Sequence, residues 1–179
     1  MKRILVAYAT KSGTTKRAAE GLARALAPEC DLYDLRRETL LSLGGTASRL
    51  PLRALRFSDY RTVAIGSAMY IGKPLKPFLR VLQSRAEELM RQPLFLFTCG
   101  IASLEEERAN TWPLLPAALA AHAQQLHHLG GELRAENGFM QRMVLKDYEK
   151  KGLAAPKLDE SCIASLADAL QQSVSASRG

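Results

Sequence analysis

The sequence predicts an α/β fold, a single sheet of mainly parallel strands with helices on both faces, formed by one domain over residues 1–179. Three observations predict it. Short runs rich in branched and aromatic residues alternate five times with helical stretches, and that order needs right-handed crossovers between parallel strands. The first run, "RILVAYA" (3–9), is apolar without alternation, as a strand buried on both faces must be. A cluster of hydroxyls and one glycine, "TKSGTT" (10–15), follows it where strand gives way to helix. Sheets of this class bind ligands beyond the carboxyl ends of their strands.

Each element has its own warrant. Ala18, Ala19, Leu22, Ala25 and Leu26 recur at helical spacing, so 14–27 reads as an amphipathic helix stopped by Pro28. "CDLYDL" (30–35) alternates as a strand nearer the sheet edge does. Residues 36–60 hold glycine, proline and many arginines, with only a weak helical pattern. "RTVAIGSA" (61–68) is a third buried strand, a helix fits 75–91, and "PLFLFT" (93–98) is a fourth strand. An alanine- and leucine-rich helix is expected over 113–129. Gly130 and Gly131 then precede a fifth strand, "ELRAEN" (132–137). A helix over 159–173, with Asp159 as its N-cap, closes the chain. The ligand loops are therefore expected at 10–15, 68–74, 99–112 and 138–157.

Composition narrows the function classes. Hydrophobic residues make up 47% of the chain, enough to build a core. Cys30, Cys99 and Cys162 are odd in number and form no CxxC or Cys/His cluster, which argues against disulfides and zinc and suits a reducing cytoplasm. The apolar run after "MKR" is too short for a signal peptide, and no uncharged stretch is long enough to span a membrane. The net charge of +7 favours anionic partners without choosing among them.

The chemistry concentrates in the first loop. Thr10, Ser12, Thr14 and Thr15 offer hydroxyls, and Gly13 lets the backbone turn so that helix N-terminal amides converge. Four hydroxyls in six residues exceed what a helix cap needs and point to a bound phosphate. GxGxxG is absent, and "GSAMYIGKP" (66–74) lacks P-loop glycine spacing and the hydroxyl that would hold magnesium. A response-regulator domain is excluded as well, because the first strand ends without an acidic pair and the third ends in Gly66-Ser67 rather than an aspartate. His122, His127 and His128 lack metal-ligand spacing and are read as an exposed helix face. Cys99, at a strand end, reads as a small buried apolar residue rather than a reactive thiol. No nucleophile elbow appears, so no catalytic side chain and no metal site are assigned.

T-K-S-G-T-T (10–15) resembles the phosphate loop of flavodoxins, which holds the phosphate of FMN. "VAIGSAMYIGKPLKPFL" (63–79), "LFLFTCG" (94–100) and "GGELRAENGFMQRMVLK" (130–146) resemble one branch of that family, the one that includes oxygen-independent protoporphyrinogen dehydrogenases. The resemblance implies a three-layer flavodoxin-like sandwich with five parallel strands in the order 2-1-3-4-5. It implies that Thr10, Lys11, Ser12, Gly13, Thr14 and Thr15 cradle the FMN phosphate. It places Ser67, Ala68, Met69, Tyr70, Ile71 and Gly72 against the isoalloxazine ring, with Tyr70 stacking on it. Cys99, Gly100, Ile101 and Ser103 would meet the ring's other edge, in a loop with no aromatic before Trp112 where flavodoxins often carry one. The function implied is an FMN-dependent oxidoreductase of the protoporphyrinogen dehydrogenase type, passing hydrogen equivalents from an anionic tetrapyrrole to a quinone or other acceptor. The alternative is an electron-transfer flavodoxin with a protein redox partner.

Flavodoxins as a family are acidic, whereas this chain is basic, with Lys11, Lys73, Lys76 and Arg80 expected near the cofactor rim. In 139–151, Phe139 and Met143 share one side with Met140 or Val144, while Arg142, Lys146, Lys150 and Lys151 lie largely elsewhere. Such a stretch suits an anionic substrate, the inner face of a membrane touched peripherally, or simply a packed helix with a solvated face. A nucleic-acid partner is not expected.

Overall fold

The computed structural model describes residues 4–42, 45–123 and 125–176. Arg3 and Gln124, each inside an expected element, lie outside the described residues. Strand β1 (Ile4–Ala9) is buried at all six positions because it lies between two parallel neighbours. These are β2 (Cys30–Asp34), reached through α1 (Thr14–Ala25), and β5 (Thr62–Tyr70). Between them, β3 (Thr39–Ser42) and β4 (Ser48–Arg49) extend the sheet antiparallel beyond β2, where the sequence shows only a weak helical pattern. Short 3-10 turns at Leu52–Ala54 and Phe57–Asp59 return the chain to β5.

After β5 a two-residue turn leads into β6 (Lys73–Pro74), which pairs back on Met69 and Tyr70. The helix expected over 75–91 is divided into α2 (Lys76–Ser84) and α3 (Ala86–Leu89). Arg85 stands at the break and donates to the carbonyls of Leu52 and Leu55, both at 2.8 Å. Strand β7 (Leu94–Cys99) then pairs parallel with β5. The expected 99–112 loop is largely α4 (Leu104–Thr111), followed by a 3-10 turn at Trp112–Leu114 and by α5 (Ala117–Ala123).

The fifth parallel strand is not 132–137. It is β8 (Leu126–His128), inside the stretch expected to be helix, and it pairs with β7 from Leu96↔Leu126 to Thr98↔His128. Burial of Leu126 and Leu129 against the sheet outweighs the helical leaning of the alanines before them. Segment 132–137 cannot join the sheet, since the chain must first pass closely over β7's end. A Cβ on Gly131 would lie 2.3 Å from the Gly100 carbonyl oxygen. The segment instead runs irregularly into a 3-10 turn at Ala135–Asn137. Two helices follow, α6 (Phe139–Lys150) in the expected 138–157 loop and α7 (Glu160–Ala176). Asp159 caps α7, its Oδ1 accepting from the amides of Ser161 and Cys162 at 2.9 and 3.1 Å.

The sheet order is β4-β3-β2-β1-β5-β7-β8, with β6 paired to β5, so among the described residues eight strands replace the expected five. Its five parallel members keep the expected order. One face packs against α2, α3 and α5 through Phe57, Phe78, Leu82 and Leu119; the other packs against α1 and α7 through Val6, Leu22, Phe97 and Leu166. Register aligns the carboxyl ends of three strands, Ala9↔Ser67 and Ala68↔Cys99, so three loops open at one edge of the sheet.

Candidate functional site

At that edge lies a cleft of about 630 Å³, within the size range of small-molecule sites. Its floor begins at the loop before α1. Gly13 has φ +92°, the left-handed conformation, and its amide donates to Thr10 Oγ1 at 2.9 Å. Arg36 braces the same turn by donating to the Thr10 carbonyl at 2.8 Å. No side chain caps α1, so its first-turn amides and the positive end of its dipole stay available to an anion. The Thr15 hydroxyl is fully buried and has no hydrogen-bond partner among the described nitrogens and oxygens. A buried polar atom without a partner is costly, and an incoming phosphate would relieve it.

The second wall is the end of β5 and its turn, Ala68 to Gly72. Ile71 and Gly72 both have positive φ, 49° and 71°, the pattern of a type I′ hairpin. Positive φ is unfavourable for a β-branched residue, so Ile71 is held at the cleft mouth at some cost, 69% exposed. Lys11 Nζ lies 3.2 Å from the centroid of the Tyr70 ring, a cation–π contact that joins the first two walls. Thr111 steadies Met69 through a weak 3.9 Å hydroxyl–sulfur contact.

The third wall is Cys99 to Ala102, backed by α4. Cys99 is buried, and burial pushes its thiol up to about 12 against the lowering influence of the Thr15 hydroxyl, so it stays protonated. Glu107 reaches under Gly100 and lines the cleft while only 1% exposed. Its Oε2 lies 3.1 Å from His128 Nδ1, and its Oε1 has no hydrogen-bond partner among the described residues. Hydrogen bonding to Glu107 raises the His128 pKa against the opposing effect of burial. The fourth wall is Gly131 to Leu133 and Asn137 to Gln141, with Val144. An ion pair from Arg17 to Glu132 ties it to α1, and Arg17 also donates to Thr14 Oγ1 at 3.2 Å.

Of the residues singled out from sequence, Lys11, Ser12, Thr14, Ala68, Met69, Tyr70, Ile71, Gly72, Cys99, Gly100 and Ile101 line this cleft. Thr10, Gly13 and Thr15 belong to the same loop and helix start but are not among the lining residues. Ser67 is buried behind the wall, accepting from the Leu75 amide at 2.9 Å, and Ser103 caps α4 by accepting from the Glu106 amide at 3.2 Å. Arg80 borders a separate pocket with Arg36 and Pro77. His127 and His128 are half-buried on β8 rather than exposed on a helix, and His122 on α5 bonds the Gln92 carbonyl at 2.8 Å. Among the described residues no His/Cys/Asp/Glu group is arranged to hold a metal ion. Sequence reading missed Glu107, Asn110 and Glu132. An acidic residue among "LEEER" carries no local sign that it alone points inward.

Residues 5–154 match the family model described as "Flavodoxin domain". Among solved structures, the chain is similar to an FMN-bound flavodoxin from Fusobacterium nucleatum, with 10% identity, 96% of this chain and 98% of that one covered, and a TM-score of 0.55. It is also similar to a flavodoxin, WrbA-like protein from Agrobacterium tumefaciens, with 18% identity, coverage of 97% and 99%, and a TM-score of 0.51. A flavo-di-iron protein from Thermotoga maritima shares 13% identity and a TM-score of 0.53 over 97% of this chain but 36% of its own. No curated protein matches the chain.

Proposed function

This chain belongs to the flavodoxin domain family, and on that premise we propose that it binds FMN in this cleft and acts as an oxidoreductase of the protoporphyrinogen dehydrogenase type. The residues present fit the cofactor. The uncapped start of α1, the left-handed Gly13 and a Thr15 hydroxyl whose only partner among the described residues is the weak Cys99 thiol suit a phosphate. Met69, Tyr70, Ile71, Ile101 and Leu133 offer apolar walls to a flat ring. When bound, FMN supplies a ring that accepts and returns electrons with protons. The whole chain would serve as one flavin-binding domain.

The observation that carries the substrate reading is the mouth of the cleft. Helix α6 buries none of its residues, and Phe139 and Met140 line the cleft while exposed, Phe139 at 68%. Exposed Ile71 and Ile101 add apolar surface to the cleft, and exposed Met143, Arg142 and Lys146 lie on the same helix as Phe139. An apolar lip with cations beside it suits a flat substrate carrying carboxylates, such as a tetrapyrrole with propionates, and the surface of an anionic membrane from which a quinone is reached. No helix among the described residues is long and apolar enough to cross a membrane.

Exposed Lys73 and Lys76, directly after the β5 turn, favour a second reading, an electron carrier that docks an acidic redox protein. The test is turnover of the FMN-loaded protein with protoporphyrinogen and a quinone, beside electron transfer to a small acidic redox protein, across a salt series. Tetrapyrrole oxidation that slows as salt screens the cations supports the enzyme. Transfer to the acidic protein alone selects the carrier.

A further inference from the structure

We infer that Glu107 and His128 form a proton-holding pair in the cleft wall that ties the reduction potential of a flavin bound there to solution pH. The inference rests on the flavin reading above. Glu107 is 1% exposed, yet it lines the cavity with Oε1 unpartnered among the described residues, while Oε2 holds His128 Nδ1 at 3.1 Å. His128 is 23% exposed, so one end of the pair meets solvent and the other meets the cleft. Gly100 makes room for this approach, because a Cβ there would stand 2.0 Å from Glu107 Oε1. A carboxylate without a second partner is expensive to bury, and a fold that leaves one at a ligand wall has placed charge where a ligand meets it.

The surrounding groups hold their charge while the pair changes. Cys99 stays a neutral thiol, held up to about 12 by burial. Asp159, which acts on His128, is kept down to about 2 by its bonds to Ser161 and Cys162, so it remains ionised. Glu132 is paired with Arg17 and Arg134. His127, next to His128, has its pKa lowered by burial and is neutral where His128 is still charged. The titrating group at this wall is therefore His128, whose pKa lies above the ordinary 6.5.

Protonating the imidazole makes the pair one unit more positive, so the charge at the cleft wall changes by one. Two electrons from an external reductant make the ring site more negative by whatever charge its own proton uptake leaves uncompensated. The pair responds by drawing one proton from solvent onto the free Nε2 of His128, where an N–H bond forms and the solvent or buffer keeps the conjugate base; the ring itself forms no covalent bond to the protein. In the pH window between the pair's pKa in the oxidised and reduced states, one further proton is taken up per two electrons. There the reduced-to-oxidised ratio falls an extra tenfold per pH unit, about 30 mV for a two-electron couple.

The experiment is a spectroelectrochemical titration of the FMN-loaded protein from acid to alkaline pH, in wild type, Glu107→Gln and His128→Asn. In wild type the extra slope is expected over the window in which His128 titrates; Glu107→Gln should shift it to lower pH, and His128→Asn should remove it from that window. At alkaline pH, Glu107→Gln should have the highest potential, its wall charge having been removed. Superimposable slopes in all three proteins would overturn the pair and leave the flavin reading standing. Failure of wild type to bind FMN would overturn that reading. The pair then still answers to NMR titration of the flavin-free protein, where Glu107→Gln must lower the His128 pKa, and an unmoved pKa refutes it. That titration in wild type alone, with oxidised and then reduced flavin, serves if a variant does not fold; no rise on reduction counts against the pair.

Discussion

Thr15→Val separates folding from phosphate binding, because the two effects have opposite signs. The Thr15 side chain is fully buried at the start of α1, and its hydroxyl has no nitrogen or oxygen partner among the described residues, only the Cys99 thiol. Burying an unsatisfied hydroxyl costs about 1–3 kcal/mol, and the nearby Cys99 thiol recovers only a small part of that as a weak acceptor. Valine fills nearly the same volume, so the flavin-free variant should be more stable by about 1 kcal/mol, a rise of about 2–4 °C in melting temperature for a chain of this size. A hydrogen bond to a charged phosphate contributes about 1.5–3 kcal/mol, so FMN should bind roughly ten- to a hundredfold more weakly. Riboflavin, without the phosphate, should bind the two proteins alike. Thermal melts of the flavin-free proteins and fluorescence titrations with both flavins read all three quantities. A variant that loses affinity equally for FMN and riboflavin would refute the placement of phosphate at this helix start.

Ile71→Gly should stabilise the flavin-free protein by about 1 kcal/mol in a denaturant titration, since a left-handed isoleucine costs about 1–2 kcal/mol and glycine's added chain entropy returns part of it; a loss of stability would show that the exposed isoleucine makes contacts worth more than its strain. Tyr70→Ala should weaken both flavins by about 1–3 kcal/mol and relieve fluorescence quenching, if the tyrosine ring packs on the isoalloxazine once Lys11 shares or leaves its face. Unchanged affinity and quenching would move the stacking role to another wall. Gly100→Ala drives a methyl into Glu107 Oε1 and, at 2.9 Å, into Met69 Cβ, so a loss of about 1–3 kcal/mol in stability is expected from thermal melts. A silent substitution would mean that α4 moves freely away from β7.

The parallel core was legible because its signal is local. β1, β5 and β7 are continuous apolar runs, and α1 and α7 carry helical spacing and recognisable ends. What escaped was decided by contacts distant in sequence. Leu126–His128 follows an alanine-rich helix and becomes a strand only because β7 offers an open edge. β3 draws its order from pairing with β2, and β4 from pairing with β3, not from alternation of their own. At the site, "TKSGTT" and the turn at Tyr70 announced themselves through hydroxyls, glycine and aromatic character. Glu107 did not, because the feature that distinguishes it from Glu105 and Glu106 is the helix face turned toward Gly100.

The most direct measurement is phosphorus NMR of FMN in the presence of the protein across pH 5–8. Free FMN carries a phosphate with a second pKa of about 6, so its resonance moves through that range. With the phosphate held by the first-turn amides of α1 and the hydroxyls of Thr10, Ser12 and Thr15, the bound resonance is expected to stay fixed as a dianion. A bound resonance that titrates like free FMN, or no bound resonance at all, would contradict the phosphate site on which the flavin reading stands.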